Sequence, residues 1–392
     1  MTDAVILSAC RTAIGTAFRG SLTETTAFDL AEVVVAEALR RSSLEASDVD
    51  DVVLGEGLYG GGVIARYAAI TQGMVKVPGM SVNRHCAAGL TAVQVAAANI
   101  RAGMADAILA GGTNSASTSP TSMFRTPGTE DDVNRWMPPT HPETPDAPTL
   151  DMSITVGWNT AVEAGITRQA MDDWALRSHQ RAIAAIDEGR FHDEIIPMKV
   201  TLKSGEVITW EVDEHPRRTS SAEKMASLKV LHPEIPDFSI TAGNAAGAND
   251  AASALMVASS ELADQRGLEA LATIRGWASI GVEPARTGMA PIEAIPLALH
   301  KAGLSLADVH LFEVNEAFAS VPVATCAALG LDEEIVNVSG SGCSLGHPVA
   351  ATGARMLTTM VYELRRRGGG IGVVSMCAGG GMGSAMVIDV AG

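Results

Sequence analysis

Two hydrophobic periods alternate along the chain. Ala31, Val34, Val35 and Ala38 recur at helical spacing, and Ala87 to Arg101 predicts a second helix. Between such stretches lie short runs that read as buried strands, at Ser81 to Asn83, Val52 to Leu54, Ala107 to Leu109, Leu311 to Val314 and Ile371 to Met376. Strands alternating with longer amphipathic segments predict an α/β fold. Thirty-nine glycines and only 4% aromatic residues fit tight loops and close helix packing better than an aromatic-rich all-β protein.

Sliding the chain against itself by 260 residues exposes an internal repeat. Ala38, Leu39, Leu44, Asp48 and Val49 fall on Ala298, Leu299, Leu304, Asp308 and Val309, with Arg41 over Lys301. Both halves then pass through Val-Asn (Val82-Asn83, Val336-Asn337), a glycine-bearing loop, a helix and a strand to Ala-Gly-Gly (Ala110 to Gly112, Ala378 to Gly380). The second half is longer by about fourteen residues around Gly340 to His347. Two similar α/β halves with loops meeting at a shared cleft are expected. Residues 118 to 150 hold seven of the seventeen prolines and the acidic run Glu130 to Asp132, which predicts irregular chain. A helix capped by Thr167, with Met171, Trp174, Ala175 and Ser178 on one face, should follow and end at Gly189. The expected division is 1–118 plus 243–268, an inserted segment 119–242 that covers the cleft or is a simple surface excursion, and 269–392.

Composition narrows the function classes. Of 392 residues, 47% are hydrophobic and 19% charged, enough for large cores. With 28 Lys and Arg against 45 Asp and Glu, the net charge of −17 repels nucleic acid and anionic membrane surfaces. No apolar run approaches the roughly 18 residues of a membrane span, and Met1 to Ala9 has no signal-peptide pattern, so a cytoplasmic protein is expected. Five cysteines at wide, irregular spacing are neither a disulfide framework nor a zinc site, and no metal is expected.

Two motifs fail on their context. Gly55-Glu56-Gly57-Leu58-Tyr59-Gly60 matches the dinucleotide fingerprint, but the region twenty residues on, Val75 to Met80, offers no acid for a ribose. Gly342-Cys343-Ser344-Leu345-Gly346 matches a nucleophile elbow, yet the only later histidine is His347, on the same loop. Cys86 is the better nucleophile. It stands between a strand and a helix, where unpaired amides and the helix dipole are expected to lower its thiol pKa, and Ala87, Ala88 and Gly89 leave room for a substrate. An inert buried thiol is the plainer alternative. His85 diverges from its neighbour and reads as a pocket or packing residue. In the second half Asn315-Glu316-Ala317-Phe318, a flexible loop ending at Gly346-His347-Pro348, and Cys377 to Gly383 lie at strand exits, where α/β proteins place ligands.

Together these blocks resemble the thiolase family. Val82 to Leu90, Asn315 to Ala319, Leu345 to Pro348 and Cys377 to Gly383 look like its signature blocks, Arg11 to Gly15 like its opening loop, and Trp174 to Ala182 with Gly189-Arg190-Phe191 like its loop-domain helix. The resemblance implies a thiolase-like fold of two α/β halves with a loop domain, and reversible thiolysis of a 3-ketoacyl-CoA, or the reverse Claisen condensation, by ping-pong chemistry through an acyl-cysteine. It implies Cys86 as nucleophile, His347 as its base and Cys377 as the group handling the α-proton, with oxyanions held by an Asn315-bound water with His347 and by the Cys86 and Gly379 amides. Coenzyme A is then a substrate and no cofactor is needed. Arg217, Arg218, Lys224 and Lys229 are candidates for its phosphates, although such a cluster is as readily a solvated face. Ala246, Met152 and Phe318 are candidates for substrate contact, and a homodimer or homotetramer is implied.

The chain departs from the family pattern at several points. Ala246 replaces the Ser of Gly-Asn-Ala-Ser-Gly, Gly111 to Ser117 replaces Gly-Gly-Met-Glu-x-Met-Ser, and Gly340 to Ser344 replaces Gly-Gly-Ala-Ile-Ala. Where short-chain biosynthetic members carry His-Met-Gly, this chain has Asp151-Met152-Ser153. These changes leave the acyl group open, and with it a biosynthetic acetoacetyl-CoA thiolase. A degenerate acyl-CoA-binding protein is disfavoured by the intact Cys86, His347, Cys377 and Asn315; a ketoacyl-synthase-like enzyme, by Cys377 where those enzymes generally use a second His.

Overall fold

The computed structural model describes residues 2–57, 59, 62–137 and 139–392. Leu58 and Gly60 of the rejected fingerprint lie outside them. The β-branched runs become β1 (Ala4–Arg11), β2 (Asp51–Glu56), β3 (Gly79–Val82), β4 (Ala107–Ser115), β5 (Asn249–Ser259), β6 (Ala272–Gly281), β7 (Leu311–Val314), β8 (Gly370–Ala378) and β9 (Met382–Val390). With the two-residue strand Gly15–Thr16 on the edge of β5, they form one ten-stranded sheet in the order β7-β8-β9-β6-β1-β5-β4-β2-β3.

The repeat is visible in this order. In the first half, β1-β5-β4-β2-β3 ends in the parallel pairs β4–β2 and β2–β3. In the second, β6-β9-β8-β7 ends in the parallel pair β8–β7, and Val336 bridges Phe312 in parallel where a fifth strand would lie. The halves join through only two register pairs, Val5 with Thr273 and Ile6 with Ala272.

Alternation along the strands sends side chains into three separate cores. Val5 and Leu7 face the helix α1 (Ala27–Ser42), whereas Ala4 and Ile6 face a middle core shared with Ile274, Val374 and Met386. That middle core holds α2 (Ala88–Arg101) and α3 (Thr352–Arg366), the corresponding helices of the two halves. A third core lies on the far side of the second half, under Ala290–Ala302 and Ser320–Leu329. α2 and α3 are thus enclosed by sheet on two sides, and their N-terminal turns meet at backbone distance. A Cβ on Gly89 would stand 2.6 Å from the Ala350 carbonyl oxygen, and one on Gly353 would stand 2.5 Å from Leu90 N.

Residues 119–242 add no strand to this sheet. They supply a π-helix (Ser153–Trp158), a long helix α4 (Arg168–Asp187) and a two-stranded hairpin at Met198–Thr201 and Val207–Trp210. Thr167 caps α4 as the pattern predicted, accepting from Ala170 N at 3.2 Å. The proline-rich stretch is not wholly irregular: Met123–Arg125 and Val133–Arg135 pair as a short exposed hairpin, because the prolines fall outside both strands. Buried ion pairs tie the segment to the halves. Arg11, fully buried, donates Nε to Glu194 at 2.6 Å and both terminal nitrogens to Asp213 at 2.8 and 2.9 Å.

If the contact between α2 and α3 sets the spacing of the halves, Gly353→Ala should lose about 1–3 kcal/mol by overpacking despite alanine's better helix propensity. Urea denaturation measures this, and an unchanged midpoint would contradict the role of that contact.

Candidate active site

Cys86 lies on the turn between β3 and α2, with its side chain half-buried. The turn is strained: His85 has φ of +46°, a left-handed conformation that costs a non-glycine residue free energy. Asn83 holds it there, its Oδ1 accepting from His85 N at 2.8 Å, and Arg84 donates to Ser279 Oγ of β6 at 2.6 Å. The loop of Cys86 is therefore fastened to the second half as well as to the first.

The local electrostatics differ from the expectation. Ala87 N and Ala88 N are not free, since they donate to Arg84 O and His85 O at 3.0 Å each. Burial pushes the Cys86 thiol above its ordinary value, and the amide of Gly379, directed at the sulfur, only partly offsets this. The magnitudes explain the outcome: a helix terminus supplies at most about 2 kcal/mol, whereas desolvation can move a pKa by about 3–5 units at roughly 1.4 kcal/mol each. Cys377, at the end of β8, is pushed up further by burial, and negative charge on the neighbouring Cys86 opposes its ionisation. The two thiols thus share one site from opposite halves. Around them, the Met152 sulfur would lie 3.6 Å, and the His85 ring 3.9 Å, from a Cβ placed on Gly379.

His347 arrives from the second half just before α3. Ala350, three residues on, is the residue whose carbonyl abuts Gly89, so the contact between α2 and α3 sets the spacing of His347 and Cys86. The imidazole is oriented by Thr352 Oγ1, 2.7 Å from Nδ1, and its backbone N donates to Asn249 Oδ1 at 2.9 Å. Nε2 is buried and has no hydrogen-bond partner among the described residues. Burial, with the Arg355 charge, pushes the ring down to about 3, so it is a neutral base in the resting protein. Asn315 is fully buried, and neither its Oδ1 nor its Nδ2 has a hydrogen-bond partner among the described residues. Unpaired buried polar atoms are costly, which makes His347 and Asn315 candidates for ligand contact.

Sequence reasoning missed the group that holds this side together. The Glu316 carboxylate, fully buried, accepts from Trp174 Nε1 (2.9 Å) and Asn337 Nδ2 (2.8 Å) on one oxygen and from Ser178 Oγ (2.6 Å) and Cys343 N (3.0 Å) on the other. It therefore joins α4 to the Asn315 loop and to the turn that leads to His347. The loop expected to be flexible is instead a buried helical turn, Gly342–Leu345, because that carboxylate and the Arg355–Glu313–Ser341 cluster bind it from both sides. Asn249 was missed for the same reason: its contact spans 98 residues of chain.

The basic candidates separate. Arg217 and Lys224 line a cavity of about 240 Å³ together with Leu228, Gly243 and Cys343. Arg218 does not join them; both its terminal nitrogens are engaged by Asp187, and Lys229 is exposed. Ala246 N donates to Ala317 O at 3.0 Å, and Ala245 bridges Phe318, so this strip runs beside the Asn315 loop. Phe318 in turn packs on Gly157 of the π-helix.

Two family models together span nearly the whole of this frame: "Thiolase, N-terminal domain" matches residues 4–261 and "Thiolase, C-terminal domain" residues 268–390. The chain belongs to the thiolase family. It is 40% identical over 401 residues to the acetyl-CoA acetyltransferase of Pseudomonas aeruginosa, covering 99% of each chain. To the 3-ketoacyl-CoA thiolase of Bacillus subtilis it is 37% identical over 403 residues, covering the whole of both. The crystal structure of human mitochondrial 3-ketoacyl-CoA thiolase in complex with CoA superposes with a TM-score of 0.90 at 35% identity, covering 99% of this chain and 98% of that one. Thiolases are acyltransferases that use coenzyme A as a substrate. Among the described residues of this thiolase, no helix is long and apolar enough to cross a membrane.

A raised thiol and a neutral imidazole predict the pH response of the resting protein. Alkylation of Cys86 by iodoacetamide, followed by intact mass and peptide mapping, should keep accelerating with pH beyond 9, as the thiolate fraction grows only above the ordinary thiol range. A plateau reached below pH 8 would instead reveal a preformed thiolate.

Proposed function

We propose that this thiolase catalyses reversible cleavage of a 3-ketoacyl-CoA to acetyl-CoA and a shortened acyl-CoA, and the reverse condensation, through an acyl group on Cys86. The observation that carries this reading is the pairing of two thiols from opposite halves beside the unpartnered His347 Nε2 and Asn315 amide. One thiol forms the covalent bond and the other handles the proton.

In the cleavage direction, the Cys86 sulfur adds to the 3-keto carbon as its proton passes to His347. With both groups neutral at rest, proton transfer accompanies attack rather than preceding it. The new oxyanion forms within reach of the Cys86 and Gly379 amides. The bond between C2 and C3 then breaks, its electron pair becomes the acetyl-CoA enolate, and Cys377 supplies the proton that quenches it. Asn315, through a bound water, and His347 stabilise that enolate oxygen. The proton on His347 then restores the Cys377 thiol; free CoA gives its thiol proton to His347 as its sulfur attacks the acyl-cysteine, and the Cys86 sulfur leaves and takes that proton back as the shortened acyl-CoA is released.

The cavity at Arg217 and Lys224 suits the anionic, extended CoA, and its reach to Cys343, four residues before His347, supports entry from that side. Ala246 offers no hydroxyl to the pantetheine, while Met152 and Phe318 bound the acyl side. A homodimer or homotetramer accompanies this reading, and light scattering that gave a stable 40.5 kDa monomer would oppose it.

Cys86→Ala should fold, and lose both the acyl adduct and cleavage. Cys377→Ala should still accept acetyl on Cys86 and exchange it with labelled CoA, while thiolysis and condensation fall by at least about a hundredfold. An adduct retained in the first variant would remove Cys86 from its role. An equal loss of exchange and condensation in the second would remove the division of labour.

A further inference from the structure

Met152 stands over the Gly379 amide that faces Cys86, and the chain around it is built in an unusual way. The segment runs directly into the π-helix Ser153–Trp158, a form rare in proteins and concentrated at functional sites. Asp151 caps its entry: Oδ1 accepts from Ser153 N at 3.0 Å and from Ser153 Oγ at 2.6 Å. Its other oxygen, Oδ2, lies 2.8 Å from His232 Nε2. Both Asp151 and Ser153 are departures from the His-Met-Gly of short-chain biosynthetic thiolases, and here the two departures bond to each other.

His232 comes from another part of the inserted segment. Its Nδ1 lies 2.7 Å from Glu234 Oε1, so the ring sits between two carboxylates. The charged groups that face it are Glu234 from its own loop and Asp151 from the segment before the π-helix. On its flat side it meets Phe238 edge to face at 4.9 Å, and Phe238 packs on Trp158 at 5.2 Å, the last residue of the π-helix. The segment carrying Met152 is therefore fixed at both ends by one loop, through charge at Asp151 and through aromatic packing at Trp158.

We propose that the Asp151–His232 pair is a specificity-determining latch, which holds Met152 as a rigid boundary of the acyl pocket and so limits the acyl group that fits beside Cys86. Asp151 and His232 are positioning residues and touch no reacting atom. The inference rests on the acyl-cysteine reading above. Its physical basis is that a well-packed apolar boundary discriminates strongly between homologues differing by a methylene, but only while the side chain forming it cannot yield. His232 can bond to both carboxylates at once only when both ring nitrogens carry protons. The hydrogen bond to Glu234 and the charge of Asp151 hold its pKa above the ordinary histidine value. The latch is closed below that raised value and loosens as pH rises through it.

The test measures kcat/KM of the full-length enzyme for 3-ketooctanoyl-CoA relative to acetoacetyl-CoA. Asp151→Asn keeps an acceptor for Ser153 N while removing the charge, and His232→Gln breaks the link from the other side, so that one variant suffices if the other fails to fold. Each should raise the ratio by about fivefold, a part of the discrimination a single methylene commands. The wild-type ratio should rise as pH passes above the ordinary histidine value, and that rise should vanish in His232→Gln and in Met152→Ala. A ratio within twofold of wild type in both latch variants, with wild type cleaving both substrates, overturns the latch alone. A wild-type protein that cleaves neither substrate overturns the acyl-cysteine reading and the latch together.

Discussion

The contact between the N-terminal turns of the two central helices is the constraint on which the site depends. At Gly89 and Gly353 the helices approach so closely that no side chain fits between them and the opposing backbone. Cys86, the proposed nucleophile, sits just before one helix and His347, the proposed base, just before the other, so a contact made at the level of backbone atoms fixes the distance between the two side chains. Because the helices are equivalent members of a repeat, the approximate symmetry of the halves brings their N-termini to one place. The arrangement there is not symmetric: the longer loop of the second half carries His347, the end of β8 carries Cys377, and the turn after it carries Gly379.

Enclosure of that contact by sheet on both sides has an electrostatic consequence. Burial keeps Cys86 and Cys377 protonated and His347 unprotonated, overriding the helix dipole that would favour a thiolate. A site without a standing ion pair avoids burying an uncompensated charge in the resting state. In the proposed reaction its donors, the Cys86 and Gly379 amides among them, serve charge that develops only as bonds change.

The carboxylate of Glu316 solves a related problem. Buried donors converge beside Asn315, and Glu316 satisfies four of them: the Cys343 backbone amide of the turn leading to His347, the Asn337 side-chain amide, the Trp174 indole and the Ser178 hydroxyl. Two of those donors, on Trp174 and Ser178, belong to the inserted segment. The same interaction that binds the turn before His347 thus docks the inserted segment, which also carries Met152.

The sequence by itself determined the α/β class, the two-half repeat, the strand exits at which the reactive residues lie and the blocks that mark the family, because these are local: periodicity, turn residues and short motifs survive without knowledge of neighbours. Cys86, His347, Cys377 and Asn315 were legible as candidates for that reason. What only the tertiary structure decided were quantities set by distant partners. Asn249 meets His347 across 98 residues and Trp174 meets Glu316 across 142, and no local signal marks either pair. The direction of the Cys86 shift was read wrongly from position alone, since a strand-to-helix junction reveals the dipole but not the depth of burial. Arg218 was placed with Arg217 by adjacency, yet adjacent side chains diverge, and Asp187 engages it instead. The Asp151–His232 pair was likewise visible only as a departure from a motif, until folding brought a ring 81 residues away to the free oxygen of the cap.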